Sequence, residues 1–283
     1  MTKKLYAYAA SGGGVRIGAT FGAQLKAKEL GKWQPERFDI ITGNSSGSLD
    51  AAFTASGLEP EQKVEIFKRW NIAELLSRYP WKLRLATALV NPISMDRLAD
   101  KIDSLNMPSS PRCYVNAWDC RGNKQIIFCE KKPEWAAESW IDTVWEEDAF
   151  NRFGWGKVLT RSMALPGMVA DELKYMDGGI AEHPPLSFIP RDAHILLINL
   201  GYPDFEAGFK RDMLSRVSFA YSAIRSHMLD TAIGHFEDLY SIKPKVYDWS
   251  AYDFEVSNKD IDRMIEKAKV HTNLAWRSYV LPE

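Results

Sequence analysis

Phe38-Asp39-Ile40-Ile41-Thr42-Gly43-Asn44-Ser45-Ser46-Gly47-Ser48-Leu49 is the stretch on which the fold turns. Phe38 to Thr42 is a short, β-branched apolar run of strand length. Gly43 to Gly47 turns the chain sharply, and Leu49, Ala52 and Phe53 then recur at helical spacing before Gly57. A buried strand entering a tight glycine turn and leaving as a helix is the repeating unit of a parallel α/β sheet.

The same unit stands upstream. Leu5 to Ala10 reads as a first strand that runs into Ser11-Gly12-Gly13-Gly14, and Ile17, Phe21 and Leu25 mark a helix that Gly31 ends. Two lysines before an apolar run imitate a secretory signal, but six apolar residues leading straight into a glycine loop are too few. Downstream, 112 to 118 and 124 to 130 form a hairpin pattern around Asp119-Cys120-Arg121-Gly122-Asn123, and His194 to Leu200 is another buried strand. Leu214, Val217, Tyr221, Ile224 and Met228 predict a helix, as do Ile261, Met264, Ile265 and Ala268. Between 58 and 110 the pattern is helical but interrupted by Pro80, Pro92 and Pro108, which predicts an inserted helical cap. No Ser/Gly linker divides the 283 residues, so the expectation is a single α/β domain over 1–283, mainly parallel, with a helical C-terminal part over 202–283.

Composition narrows the function. The 36 Lys+Arg and 37 Asp+Glu nearly cancel, against a uniformly basic nucleic-acid-binding face. The longest apolar runs fall far short of the roughly 18 residues that a membrane span needs, so no transmembrane anchor is expected. Cys113, Cys120 and Cys129 are odd in number and lack C-x-x-C spacing, which fits reduced thiols and a cytoplasmic chain. The sequon Asn44-Ser45-Ser46 lies inside the turn, where glycosylation has no use.

Chemistry concentrates in three places. Gly43-Asn44-Ser45-Ser46-Gly47 is a G-x-S-x-G pentapeptide, expected by chance about 0.1 times in a chain this long. Between a strand and a helix it lifts the Ser45 hydroxyl above the sheet and aims a helix N-terminus at it, the setting of a nucleophile. Gly12-Gly13-Gly14 lacks the last glycine of a dinucleotide fingerprint, where Ile17 stands, and lacks the Gly-Lys-Ser/Thr of a P-loop. What is left is a nest of backbone N–H groups suited to an oxyanion. Asp177-Gly178-Gly179 ends a short strand over 173–176 and offers a carboxylate as base. Of the five histidines, His183, His194, His227, His235 and His271, none has ligand spacing for a metal, and each follows Asp177 as a Ser-Asp-His triad of hydrolase order requires.

Taken together, these motifs resemble the patatin-like phospholipase family, lipid acyl hydrolases with a Ser-Asp dyad. Ser11-Gly12-Gly13-Gly14-Val15-Arg16 resembles its oxyanion loop, Gly43 to Gly47 its nucleophile elbow, Ser162-Met163-Ala164-Leu165-Pro166-Gly167 its small-residue segment, and Asp177-Gly178-Gly179 its dyad motif. The resemblance spans roughly 4–201. It implies Ser45 and Asp177 as catalytic residues, Gly12, Gly13 and Gly14 as the oxyanion hole, and Arg16 and Ser46 in support, with no cofactor or metal. It implies a three-layer sheet with helices on both sides and a lipid or membrane-surface substrate, met in the cytoplasm or at the membrane periphery. Tyr79-Pro80-Trp81-Lys82-Leu83-Arg84-Leu85 has the mixed composition of an interfacial segment. Ile17, Arg161, Glu182 and His183 depart from the family pattern. Two rival readings stay open: an esterase with a histidine-containing triad, and a lipid-binding scaffold of the same fold without turnover.

Overall fold

In the computed structural model, the described residues are 4–78, 93–165, 174–201, 229–249, 251 and 254–282. The described residues form ten strands in chain order: β1 (Tyr6–Ala10), β2 (Ile40–Gly43), β3 (Ser77–Arg78), β4 (Ile93–Ser94), β5 (Cys113–Asp119), β6 (Lys124–Phe128), β7 (Thr143–Glu146), β8 (Tyr175–Asp177), β9 (His194–Ile198) and β10 (Asp238–Ile242). The main sheet runs β10-β9-β1-β2-β5-β6-β7, and β8 pairs with β5 beside that path. Every neighbour pair from β10 to β5 is parallel, while β6 and β8 meet β5 antiparallel. The architecture is therefore α/β with a mostly parallel central sheet.

Parallel strands flanked on both faces must be apolar along their whole length. Accordingly, β1 and β9 are buried at every residue. Alternate side chains serve the two faces. Tyr6, Tyr8 and Ala10 enter one core together with Phe21 of α1 (Ile17–Glu29), Phe53 of α2 (Ser46–Ala55) and Phe67 of α3 (Pro60–Arg69). Ala7 and Ala9 face the other core, closed by Leu186, Phe188, Trp135 and Leu229, the last in a helical stretch described over 229–233. The long C-terminal helix Asn258–Ser278 lies along α1, burying Ile261, Ile265 and Trp276.

Two regions differ from the expectation. The described part of 58–110 is mostly helical, with the two short antiparallel strands β3 and β4, and its Phe67, Trp70, Leu98 and Ile102 join the main core rather than standing over it. Its proline breaks left no sign of that burial in the sequence. The part beyond 202 contributes β10, which extends the parallel sheet, as well as a helix. The expected helix over 214–228 and the segment 79–85 lie outside the described residues.

Candidate active site

At Ser45 the backbone takes φ 52° and ψ −136°, left-handed territory where a non-glycine residue is strained. The strain is imposed by close packing on either side. A Cβ on Gly43 would stand 2.3 Å from the Gly47 carbonyl oxygen, and one on Gly47 would stand 2.3 Å from that of Ala10. With both positions bare, α2 starts at Ser46 hard against the ends of β1 and β2, and its N-terminus points at Ser45. The Ser45 carbonyl is held by Ser48 N–H at 3.0 Å and Ser48 Oγ at 2.5 Å. The strand-to-helix turn expected at Gly43 to Gly47 is present, with Ser45 at its apex.

Sheet register brings Asp177 to the same place. β6 occupies one edge of β5 along Val115 to Asp119, so β8, which pairs with Ala117 to Asp119, must use the edge that β2 occupies from Cys113 to Val115. β2 ends with Gly43 opposite Val115, and β8 arrives from the other direction and ends with Asp177 opposite Ala117. The two ends face β5 residues two positions apart, Val115 and Ala117, about 7 Å along the strand. Strand β2 delivers Ser45 and β8 delivers Asp177, end to end. Asp177 is fully buried, and its Oδ1 accepts Gly179 N–H at 2.8 Å.

One segment ties the two ends together. Ser45 N–H donates to Ser162 Oγ at 2.9 Å, and Asp177 N–H donates to the Ala164 carbonyl at 2.7 Å. Ser162 ends the helix Trp155–Ser162, which packs against α2, β5 and β8. The small-residue motif is thus a brace, and Ser162 is a site residue that the motif contained without declaring its task. Arg161, beside it, lays its guanidinium over Phe153 and Tyr175 at 4.5 and 4.7 Å.

The glycine loop passes directly over the serine. A Cβ at Gly12 would fall 2.5 Å from Ser45 Cβ, 3.0 Å from the Asn44 carbonyl oxygen and 3.1 Å from His183 Cε1. Only glycine permits that approach. Sequence reasoning led us to expect an open nest of N–H groups here, and in this respect it needs correction. Gly12 N–H donates to Asn44 Oδ1 at 3.3 Å, and Gly13 N–H donates to Ser46 Oγ at 3.0 Å. Donors this well covered need acceptors when no ligand supplies one, and the elbow's own side chains serve. Gly14 sits at φ 58°, beginning the short turn Gly14–Arg16.

Arg16 is not a surface charge. It is 4% exposed, with Nε on the Gly13 carbonyl at 3.4 Å and Nη2 on that of Gly201 at 3.3 Å, so it fastens the loop to the end of β9. Ile17, at the family's glycine position, is buried in the main core.

Among the other histidines, His194 lies at the opposite end of the sheet, bonded to Asp238 and Tyr279 beside a cavity of about 600 Å³ lined by Leu5, Arg37 and Val280. His235 rests against Trp140, and exposed His271 is on the C-terminal helix. His227 is outside the described residues. Among the described histidines, His183 reaches the elbow: its Nδ1 lies 2.7 Å from Asn44 Nδ2. Glu182, its neighbour, is buried, neither of its carboxyl oxygens has a hydrogen-bond partner among the described residues, and burial pushes its pKa up to about 7. Ser187, Leu186 N–H and Gln125 are the polar groups that face it and partly offset that rise.

The chain thus combines a mostly parallel α/β sheet with a strained serine at a strand-to-helix turn. A family model, patatin-like phospholipase, matches residues 9–188, and the chain belongs to that family, whose members are lipid acyl hydrolases. Comparison with curated protein sequences gives no match. Among solved structures, VipD from Legionella pneumophila is similar over 98% of this chain and 67% of its own, with 12% identity and a TM-score of 0.50. That likeness is one of fold. The type III effector protein ExoU is similar over 97% of this chain at 11% identity, with a TM-score of 0.44, and this chain spans 53% of it. No helix among the described residues is long and apolar enough to cross a membrane.

Proposed function

We propose that this chain is a serine-dependent hydrolase of fatty acyl esters in lipids, working through a covalent acyl-Ser45 intermediate with Asp177 as base. The observation that carries the reading is the strained Ser45, beneath Gly12 and end to end with Asp177 along β5. The proton of Ser45 passes to the Asp177 carboxylate, whose Oδ1 accepts the Gly179 N–H, as Oγ attacks the acyl carbonyl. The carbonyl π electrons move to its oxygen, and the Gly12–Gly14 loop stabilises that oxyanion. Ser46 Oγ now holds the Gly13 N–H as an oxyanion oxygen would, and it turns aside when substrate enters. Collapse of the adduct expels the alcohol or lysolipid, which takes the proton from Asp177. Water then attacks the acyl-serine and gives its proton to Asp177, which returns it to Ser45 Oγ as the second adduct collapses and the fatty acid leaves. The buried site and the glycine loop favour this chemistry over a scaffold without turnover.

The triad reading finds one candidate, His183, whose ring lies beside Gly12 and Asn44. Labelling with a fluorophosphonate and peptide mapping tests the proposal. Modification of Ser45, absent in Ser45→Ala, together with release of fatty acid from phospholipid or lysophospholipid micelles, supports it. An unlabelled wild-type chain that releases nothing refutes it.

A further inference from the structure

We infer that His183 is a positioning residue, which holds the oxyanion loop over Ser45 by fixing the Asn44 amide and does not itself take the serine proton. The inference rests on the hydrolase reading above and concerns how its site is kept in shape.

A backbone N–H can only donate, so Gly12 N–H, 3.3 Å from Asn44 Oδ1, obliges the Asn44 side chain to present its oxygen to the loop. The Asn44 NH2 then faces His183 Nδ1 at 2.7 Å. Two donors cannot share that contact, so Nδ1 offers its lone pair, and the neutral imidazole carries its proton on Nε2. A histidine held in this form has no lone pair on Nε2 with which to act as base, and its only basic nitrogen is occupied by an amide. The chain runs from the imidazole through the Asn44 amide to the Gly12 backbone, which approaches Ser45 Cβ more closely than any side chain would allow. The anchor is firm, because His183 is 2% exposed. Asn44 is buried and lies inside the elbow itself. Removing the anchor releases the amide to rotate and takes the acceptor from Gly12 N–H, which lets the loop move relative to the reacting carbonyl.

The geometry distinguishes between the two conservative replacements. An asparagine at 183 can set its side-chain oxygen where Nδ1 stands, whereas a glutamine sets its oxygen near Nε2. The test measures kcat and KM on a short p-nitrophenyl ester for the full chain with His183→Asn, His183→Gln and His183→Ala, alongside 15N NMR of histidine-labelled wild type. The His183 signals are assigned by their loss in His183→Asn. Expected are a bare Nδ1 and a protonated Nε2 at neutral pH, and kcat within about threefold of wild type for His183→Asn. In the other two variants kcat falls on the order of tenfold to a hundredfold, with KM moved less than about threefold. A protonated Nδ1, a glutamine variant as active as the asparagine one, or an alanine variant with unchanged kcat overturns the inference. If His183→Ala does not fold, the Asn and Gln pair decides. A wild type that neither labels nor turns over counts against the proposed function, and the NMR spectrum then decides the hydrogen-bond chain by itself.

Discussion

Two buried polar clusters back the two halves of the site, and they are built in opposite ways. Behind α2, Asp50 accepts from Tyr8 Oη at 2.5 Å, from Gln24 Nε2 at 2.9 and 3.0 Å and from Lys63 Nζ at 2.9 Å. Lys63 spends its other donors on Gln24 Oε1 and Thr54 Oγ1. Every member has partners, and a fully buried ion pair is held without an orphan. Behind the Asp177 turn, Asn116 Nδ2 reaches the Gly178 carbonyl at 3.0 Å and Gln125 Oε1 at 3.4 Å, while Asn116 Oδ1 and both Glu182 oxygens lack a hydrogen-bond partner among the described residues. A satisfied network rigidifies, and a partly satisfied one costs stability. The helix that carries Ser45 is thus anchored more firmly than the turn that carries Asp177.

Breaking the first cluster has the largest expected effect on stability. Lys63→Ala leaves the Asp50 carboxylate buried without its cation, which costs about 3–5 kcal/mol, read as a lower midpoint in urea unfolding. A loss under 1 kcal/mol would mean that Asp50 is not charged there.

The second cluster predicts a gain. Burial raises the folded pKa of Glu182 from 4.5 to about 7, so the folded state binds a proton more tightly than the unfolded state does. Stability from this group is therefore present below pH 4.5 and lost as pH rises to about 7. The loss is on the order of 3 kcal/mol across that window. Glu182→Gln stays neutral throughout. Relative to wild type it should be close to neutral at pH 4.5 and more stable at pH 8 by roughly that amount, as paired denaturation curves would show. A variant less stable at pH 8 would mean that the carboxylate is paired.

Smaller still is Ser162→Ala, which takes the acceptor from the buried Ser45 N–H and costs about 1–3 kcal/mol. Because the brace also sets the nucleophile's backbone, kcat should fall while KM holds. Unchanged stability and kcat together would remove Ser162 from the site.

What could be read from the sequence was whatever a local constraint writes into neighbouring residues. The elbow was legible because a turn too tight for a Cβ needs Gly43 and Gly47 at fixed spacing from Ser45. The loop glycines were legible for the same reason, as were α1 and the β5–β6 hairpin from their periodicity. What was not legible depends on distant pairing. Asn44 meets His183 across 139 positions, Ser45 meets Ser162 across 117, and Asp177 reaches the elbow only because β8 borrows the edge of β5 that β2 leaves vacant. Arg16 read equally well as a surface charge until its two carbonyl partners were seen, and Gly12 and Gly13 read as open donors because the sequence does not show where the Asn44 and Ser46 side chains turn.

The central claim, that Asp177 takes the proton of Ser45, is tested most directly by the kcat of folded Asp177→Asn on a short p-nitrophenyl ester. Asparagine keeps the size of the side chain and an oxygen for Gly179 N–H but cannot accept a proton. The expected result is a fall on the order of 10³–10⁴ at unchanged melting temperature, approaching the level of Ser45→Ala. A folded Asp177→Asn that keeps more than about a tenth of wild-type kcat would contradict it.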